Sequence, residues 1–427
     1  MIESTLNFGR KIIPRKIFKV AQPIYHFFLA FAGAVYYKFP SRKIFIVAVI
    51  GTKGKTTVTE LINKILETSG EETALVNTIR FKIRKKEKTN LFKMTMPGRF
   101  FIQKFLRDAV SAKCKYAIIE MTSEGVKQFR HKFIALNSLV FTNIAPEHIE
   151  SHGSFENYLD AKLSIARALE KSSKKNKIII ANMDDKYTDK FLNIFVKNKI
   201  QFSLKNAEPY MLSEKFTEIT FDGLKIHSKL IGIFNIYNTL AAAFFAKSQN
   251  IDPLTIKYAV EQFDGARGRV ERIEEGQNFT VIVDYAHTKE SLEELYKAFG
   301  KSEKICVLGN TGGGRDKWKR SAMGKIADTY CKHIILTNED PYDEDPIKII
   351  KDTVKGIIKK KPEIIIDRKQ AIKKALMVAN KGDVVLITGK GTDPYIMVAE
   401  GGKIPWSDTN TVRNELKLLF NKKNNCV

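Results

Sequence analysis

The run Val49-Ile-Gly-Thr-Lys-Gly-Lys-Thr-Thr57 constrains the fold more than any other stretch, because it sets a phosphate cradle between a strand and a helix. Residues 44–50 are a short, continuous apolar run rich in β-branched side chains, the pattern of a buried parallel strand. Val58–Leu66 has helical periodicity, so its N-terminus would face an anion held by the intervening turn. Gly51 and Gly54 let the backbone turn tightly and aim N–H groups at phosphate oxygens. Lys55 supplies a point charge for the terminal phosphates, and the Thr56 hydroxyl is placed to ligate Mg²⁺. Gly51, Thr52, Lys53, Gly54, Lys55, Thr56 and Thr57 are therefore the expected ATP-binding loop. Val49 stands where the standard motif has its first glycine. The competing interpretation is a Gly/Lys turn with no ligand.

A chain of 427 residues exceeds one hydrophobic core, so two or three domains are expected. With 44% hydrophobic residues it belongs with globular chains rather than disordered ones. A net charge of +25 attracts polyanions, whether nucleotide, nucleic acid or anionic membrane. The basic runs Lys82–Lys88, Lys171–Lys177 and Lys359–Lys361 come with no RNA- or DNA-binding signature. They are expected to be solvated faces, and no specific nucleic-acid partner is expected. Cys114, Cys306, Cys331 and Cys426 are isolated, with no CxxC pair. Neither a zinc site nor a disulfide framework is indicated, and a reducing cytosol fits.

Pro23 to Tyr37 is apolar and aromatic, with Arg10, Lys11, Arg15, Lys16 and Lys19 on one flank and Lys38, Arg42 and Lys43 on the other. It is short for a transmembrane helix. A signal peptide conflicts with an ATP site downstream, since ATP is cytosolic. The segment is expected either to pack on the protein or to lie at a membrane interface.

From the glycine loop onward, strand-like runs (Tyr116–Glu120, Ser138–Thr142, Lys177–Ala181) alternate with helical ones (Pro97–Ser111, Tyr158–Ser172), the doubly wound pattern. Gln201 to Leu230 alternates like antiparallel strands, and Asn235–Ala246 is an Ala/Phe-rich helix. Glycine and charge at Gly265-Ala-Arg-Gly-Arg269 mark a boundary. Beyond it a second series begins, with strands expected at Thr280–Asp284, Lys304–Gly309, His333–Asn338 and Asp383–Thr388. The expected fold class is α/β: a central P-loop ATPase domain with a mostly parallel sheet, then a C-terminal Rossmann-like α/β domain. The expected divisions are 1–43, a basic, apolar helical segment; 44–266, the ATP-binding domain; and 267–427, the C-terminal domain.

Glu120 ends a strand beside the glycine loop, where a carboxylate can hold a metal on the phosphates; a satisfied surface glutamate is the equal alternative. The next strand runs into Thr142-Asn-Ile-Ala-Pro-Glu-His-Ile-Glu-Ser-His-Gly153. If that segment is helical, His148 and His152 share a face at metal-pair spacing. The placement of His148 at a strand end, opposite Glu120, favours a metal role for it. Lys162 lies in the following helix, and composition gives no reason to single it out.

In order and spacing, these elements resemble the Mur ligase superfamily, most closely its UDP-N-acetylmuramoyl-tripeptide synthetases, which add the third peptide residue to peptidoglycan precursors. The resemblance runs from residue 45 to about 413. It includes the short GTxGKT loop, Thr95-Met-Pro97, the Glu120 segment, Asn143 with Glu147-His148 and His152-Gly153, and Ala161-Lys162. Further on come Gly232-Ile-Phe-Asn235-Ile-Tyr-Asn238, Gly268-Arg269-Val-Glu271, Asp284-Tyr-Ala-His287-Thr288, Gly312-Gly-Gly-Arg315, Asn338-Glu-Asp-Pro341 and Gly389-Lys-Gly391.

The resemblance implies an ATP-dependent acid–amino-acid ligase using two Mg²⁺ ions. Lys55, Lys162 and His148 would be catalytic, with Thr56, Glu120 and His148 on metal. Lys162 matches a lysine that family members carbamylate to hold a second metal. Asn235 and Asn238 match adenine contacts, while Arg269, Asp284 and His287 match residues reaching the nucleotide from the last domain. Thr95, Ser123 and Arg130 fall where the family touches the peptide and its sugar-nucleotide. A carboxylate of that acceptor would attack the γ-phosphate, and an amino group would then attack the resulting acyl phosphate.

Two departures carry information. Only about 43 residues precede the first strand, where the family has a longer uridine-nucleotide domain, so segment 1–43 is expected to replace it and the acceptor to be held differently or not be UDP-linked. Diaminopimelate-adding members carry Asp-Asn-Pro-Arg where this chain has Glu339-Asp340-Pro341-Tyr342. Tyr342 offers no bidentate cationic clamp. Arg315 would take the α-carboxylate, while Asp340 and Asp393 face an ammonium, so a diamino acid such as L-lysine is expected. The expected partners are a nucleotide-sugar peptide precursor, a free amino acid and a peripheral membrane contact through the N-terminal helix. The expected protein is a cytoplasmic monomer, at or near the inner membrane face. The alternatives are a Mur-like ligase of folylpolyglutamate or cyanophycin synthetase type, or a nucleic-acid-binding P-loop ATPase.

Overall fold

The apolar run after Ile44 is strand β1 (Phe45–Ile50), buried from Ile46 onward in the middle of an eight-stranded sheet. The computed structural model describes residues 15–147 and 149–424. The other strands of this sheet are β2 (Thr73–Val76), β3 (Arg80–Ile83), β4 (Lys86–Thr89), β5 (Tyr116–Glu120), β6 (Ser138–Phe141), β7 (Ile178–Asn182) and β8 (Asn198–Phe202). They lie in the order β4-β3-β2-β5-β1-β6-β7-β8. All pairings are parallel except those of the β2-β3-β4 meander at one edge. Strand order reverses at β1, and in such sheets ligands sit at the C-terminal ends of the strands beside that switch. The register places Val49 opposite Glu120 and Ile50 opposite Phe141, so the segments leaving β1, β5 and β6 emerge together.

This sheet belongs to a compact unit that runs up to Ala145 and includes Glu156–Ser203 and Ala241–Ile251. A helix Arg15–Tyr36 packs in the same unit on the helix Arg99–Ser111, burying His26, Ala30 and Ala34. Among the described residues no helix is long and apolar enough to cross a membrane.

A second compact unit comprises Pro146–Phe155, Leu204–Leu240 and the chain from Asp252 onward. The expected antiparallel segment is β9 (Met211–Leu212), β10 (Thr217–Phe221) and β11 (Leu224–Ser228). Beyond it stand β12 (Glu271–Arg272), β13 (Thr280–Asp284), β14 (Lys304–Leu308), β15 (His333–Leu336), β16 (Glu363–Ile364) and β17 (Val384–Thr388), in the order β12-β13-β17-β14-β15-β16. All pairings but β12–β13 are parallel. Alternate residues face opposite sides of this sheet. Ile282, Leu308, Leu336 and Leu386 pack with Leu295, Met323 and Ile350; Val283, Val307, Ile335 and Ile387 pack with Ile372, Leu376, Val412 and Leu416. Both faces are covered, which is why these strands are apolar throughout. A short hairpin, β18 (Tyr395–Met397) and β19 (Lys403–Pro405), follows.

Two sequence-based expectations are corrected. Cys306 and Cys331, not isolated, form a disulfide across 25 residues of sequence. Parallel pairing of β14 with β15 sets Cys306 opposite Ile334 and brings the turn at Cys331 alongside, a proximity that spacing alone does not reveal. In the run Lys82–Lys88, Lys86 and Lys88 are exposed but Lys82 is buried; its ammonium donates to the Glu67 carboxylate, and burial lowers its pKa.

Candidate active site

Gly51, at the end of β1, has φ of 150°, and a Cβ there would lie 1.9 Å from the Thr142 hydroxyl oxygen. Only glycine lets the segment after β6 approach this closely. That segment braces the loop: Thr52 N donates to Asn143 O (2.8 Å), Lys53 N to Asn143 Oδ1 (2.9 Å) and Thr142 Oγ1 to Lys53 O (2.7 Å). Thr52 Oγ1 also shares a hydrogen bond with the Tyr158 hydroxyl (2.7 Å). Gly54, at φ 80°, then starts the helix Lys55–Thr68, whose N-terminus has no side-chain cap. An uncapped helix start with its N–H groups behind a glycine turn suits a phosphate. The helix begins three residues before the apolar periodicity did, so Lys55, Thr56 and Thr57 form its first turn.

Lys55 Nζ donates to Thr52 O (2.9 Å), and Thr56 Oγ1 to Glu120 Oε2 (3.0 Å). Glu120 is buried and also accepts from Thr78 N and Thr78 Oγ1 at 3.0 and 3.1 Å. It is therefore no surface glutamate. Lys162, on the helix Phe155–Glu170, is only 2% exposed; its ammonium donates to Gly51 O (2.6 Å) and lies 4.8 Å from the centre of the Tyr158 ring. The fold thus sets Lys162 under the glycine loop. His148 lies outside the described residues, and His152 ends a helix only four residues long, Ile149–His152. Among the described residues no group of three or more His, Cys, Asp and Glu is arranged to hold a metal. Thr56 and Glu120 are adjacent oxygen donors of the kind Mg²⁺ takes, which fits one ion at the phosphates.

Thr95 joins the same network, its hydroxyl 2.9 Å from that of Thr78. Ser123 is buried at the start of the helix Ser123–Lys127, which Thr122 caps. Arg130 donates to Met96 O and to Gln128 Oε1 (2.7 Å), while Arg99 Nε donates to Gln128 O (2.7 Å). Burial, with the Arg99 charge added, lowers the Arg130 pKa to about 10. Two guanidiniums around one glutamine favour an anion nearby.

In the second unit, Asp284 ends β13 and accepts from Val270 N (2.7 Å) and Ala286 N (2.6 Å), fixing the turns on either side. The Arg269 guanidinium stacks 4.3 Å over the Tyr285 ring. His287 sets Nδ1 2.7 Å from Tyr285 O and Nε2 3.0 Å from Glu147 Oε1, so both ring nitrogens face oxygen. A Cβ on Gly268 would come within 2.5 Å of Thr392 N, so the Gly268-Arg269 turn and the Gly389-Lys-Gly391 segment meet backbone to backbone. Asn235 and Asn238 are buried together: Asn238 Nδ2 donates to Asn235 Oδ1, and Asn235 Nδ2 to Ile231 O, each at 2.9 Å.

Arg315 is exposed, with the Tyr342 side chain near its charge. Asp340 and Asp393 both turn to Lys390, whose fully buried ammonium lies 2.7 and 3.4 Å from them and donates to Tyr395 O (2.7 Å). Sequence reasoning missed Lys390; its only signal is its place between two glycines. It also missed Glu339, whose carboxyl pKa is raised by burial and then by Asp340, and whose Oε2 has no partner. Thr78 and Tyr158, which tie Glu120 and the glycine loop in place, gave no signal at all.

Residues 49–246 match the Mur ligase middle domain, and residues 268–391 the glutamate ligase domain of Mur ligases. The chain is 37% identical over 389 residues to UDP-N-acetylmuramoyl-L-alanyl-D-glutamate--2,6-diaminopimelate ligase of Syntrophomonas wolfei, covering 87% of this chain and 78% of that protein. It is 34% identical over 413 residues to UDP-N-acetylmuramyl-tripeptide synthetase of Borreliella burgdorferi, covering 92% and 80%. A solved UDP-N-acetylmuramoyl-L-alanyl-D-glutamate--2,6-diaminopimelate ligase superposes with a TM-score of 0.61 at 27% identity, covering 88% of this chain and 79% of that one. The chain therefore belongs to the Mur ligases, ATP-dependent acid–amino-acid ligases.

Proposed function

We propose that this ligase adds an amino acid, a diamino acid such as L-lysine, to UDP-N-acetylmuramoyl-dipeptide in the making of peptidoglycan precursors. The observation that carries the reading is the convergence of Lys55, Thr56, Glu120 and Lys162 on the loop leaving β1. The names of the similar ligase and synthetase support the same acceptor. In this reading Lys55 and the loop amides hold the β- and γ-phosphates, and Arg130 steers the anionic acceptor so that its carboxylate reaches the γ-phosphate. Attack there breaks the bond to the β-phosphate, releases ADP and leaves an acyl phosphate; the amino group then attacks its carbonyl carbon, loses a proton and expels inorganic phosphate, leaving an amide. Thr56 and Glu120, with His148 as the resemblance implies, would hold Mg²⁺, which would supply charge neutralisation among the crowded anions. Lys162, carbamylated, would hold the second ion; burial is what such a lysine needs to keep its amine neutral enough to capture CO₂. Asn235, Asn238, Arg269, Asp284 and His287 are proposed to serve the nucleotide. The reaction is placed in the cytoplasm, where ATP is available.

The choice of diamino acid rests on charge. Tyr342 cannot clamp a distal carboxylate, and two carboxylates, Asp340 and Asp393, share one ammonium, leaving the group net negative. Arg315 remains for the α-carboxylate. ADP release with UDP-muramoyl dipeptide and a panel of amino acids tests this. Lysine or ornithine should turn over at least about tenfold faster than diaminopimelate, the scale of one lost charged contact. Diaminopimelate as the sole good substrate contradicts it.

A further inference from the structure

The helix Arg15–Tyr36 has its faces reversed relative to an ordinary surface helix. His26, Ala30, Gly33 and Ala34 point inward; a Cβ on Gly33 would sit 3.5 Å from Phe100, and Arg99 donates to His26 Nδ1 (2.5 Å). The small side chains are thus spent on the protein. Ile24, Phe28, Phe31 and Val35 recur at i, i+4, i+7 and i+11, a single stripe, and all are exposed, Phe28 to 63%. Phe27 and Tyr25 flank the stripe, and Phe27 and Phe31 meet the Phe133 ring at 5.3 and 5.4 Å. Contiguous exposed apolar surface of this kind marks an interaction site.

We infer that this face docks on an anionic lipid surface, lying in the interface rather than crossing it. Three observations select that occupant. No described helix is long and apolar enough to span. Tyr25, Tyr36 and Tyr37 stand towards the ends of the apolar stretch, and such amphipathic rings settle at headgroup level. Lys38, Arg42 and Lys43 follow the stripe and are exposed, so apolar insertion and attraction to anionic headgroups act together. A second copy of the chain is the poorer fit, since each copy carries +25 and would bring its basic flank against another.

The test is co-sedimentation of the full chain with vesicles of phosphatidylcholine alone and of phosphatidylcholine mixed with phosphatidylglycerol. Binding is expected to the mixed vesicles and to weaken with added salt. The double variant Ile24→Ser/Phe28→Ser, at the two most exposed positions of the stripe, should bind about tenfold or more weakly, as should Lys38→Glu/Arg42→Glu/Lys43→Glu, with melting temperature unchanged. No binding to mixed vesicles overturns the inference, as does binding that neither variant weakens. A wild-type dimer that Ile24→Ser/Phe28→Ser converts to monomer also overturns it, by assigning the face to a second copy.

Discussion

His131 shows how far a single side chain escapes a one-dimensional pattern. It is 2% exposed and neither ring nitrogen has a partner. Burial, with the Lys132 charge added, lowers its pKa from 6.5 to about 3. The folded state therefore holds it neutral while the unfolded chain takes up a proton below pH 6.5. Its depressed pKa means that stability is full above 6.5 and drains as pH falls towards the folded value. Between pH 7 and pH 5 the loss should be about 2 kcal/mol. Urea titrations at the two pH values, on wild type and His131→Phe, check this; the variant should lose correspondingly less, and equal losses would contradict it. The glycine loop was legible because glycine, lysine and threonine have few other reasons to stand at that spacing. Lys162 was legible only through the family resemblance, and Lys390 and Glu339 were not, because burial distinguishes all three and the partners of both lysines lie far off in sequence.

At the scale of elements, the apolar strands were readable because a sheet covered on both faces tolerates no polar interruption. Ends were less so. The phosphate-loop helix starts at Lys55 among polar residues that periodicity ignores, and β8 joins the parallel sheet although Phe202 is its one buried residue. Helix starts with a side-chain cap are better marked: Asp252, Thr288, Asp345 and Asp367 each accept from a backbone N–H in the first turn. Asp367 Oδ1 takes the Gln370 N–H at 2.8 Å. Asp367→Ala should therefore cost about 1 kcal/mol of stability, read by denaturant midpoint at constant slope. Asp367→Asn should restore most of it, and an unchanged midpoint in the alanine variant would show that the cap contributes nothing.

For the molecule as a whole, the α/β class with mostly parallel sheets was legible from the alternation of strand and helix runs. The disulfide between Cys306 and Cys331 was not, since only the β14–β15 pairing brings them together. The same limit applied to Glu147, which reaches His287 across 140 residues. The central claim is that this molecule activates a carboxylate by phosphorylating it. The direct measurement is isotope transfer: UDP-muramoyl dipeptide labelled with oxygen-18 in both free carboxylates of its terminal residue, incubated with ATP, Mg²⁺ and L-lysine, and the released phosphate examined by mass spectrometry. One labelled oxygen per product should appear in inorganic phosphate. Amide product with unlabelled phosphate would contradict the account.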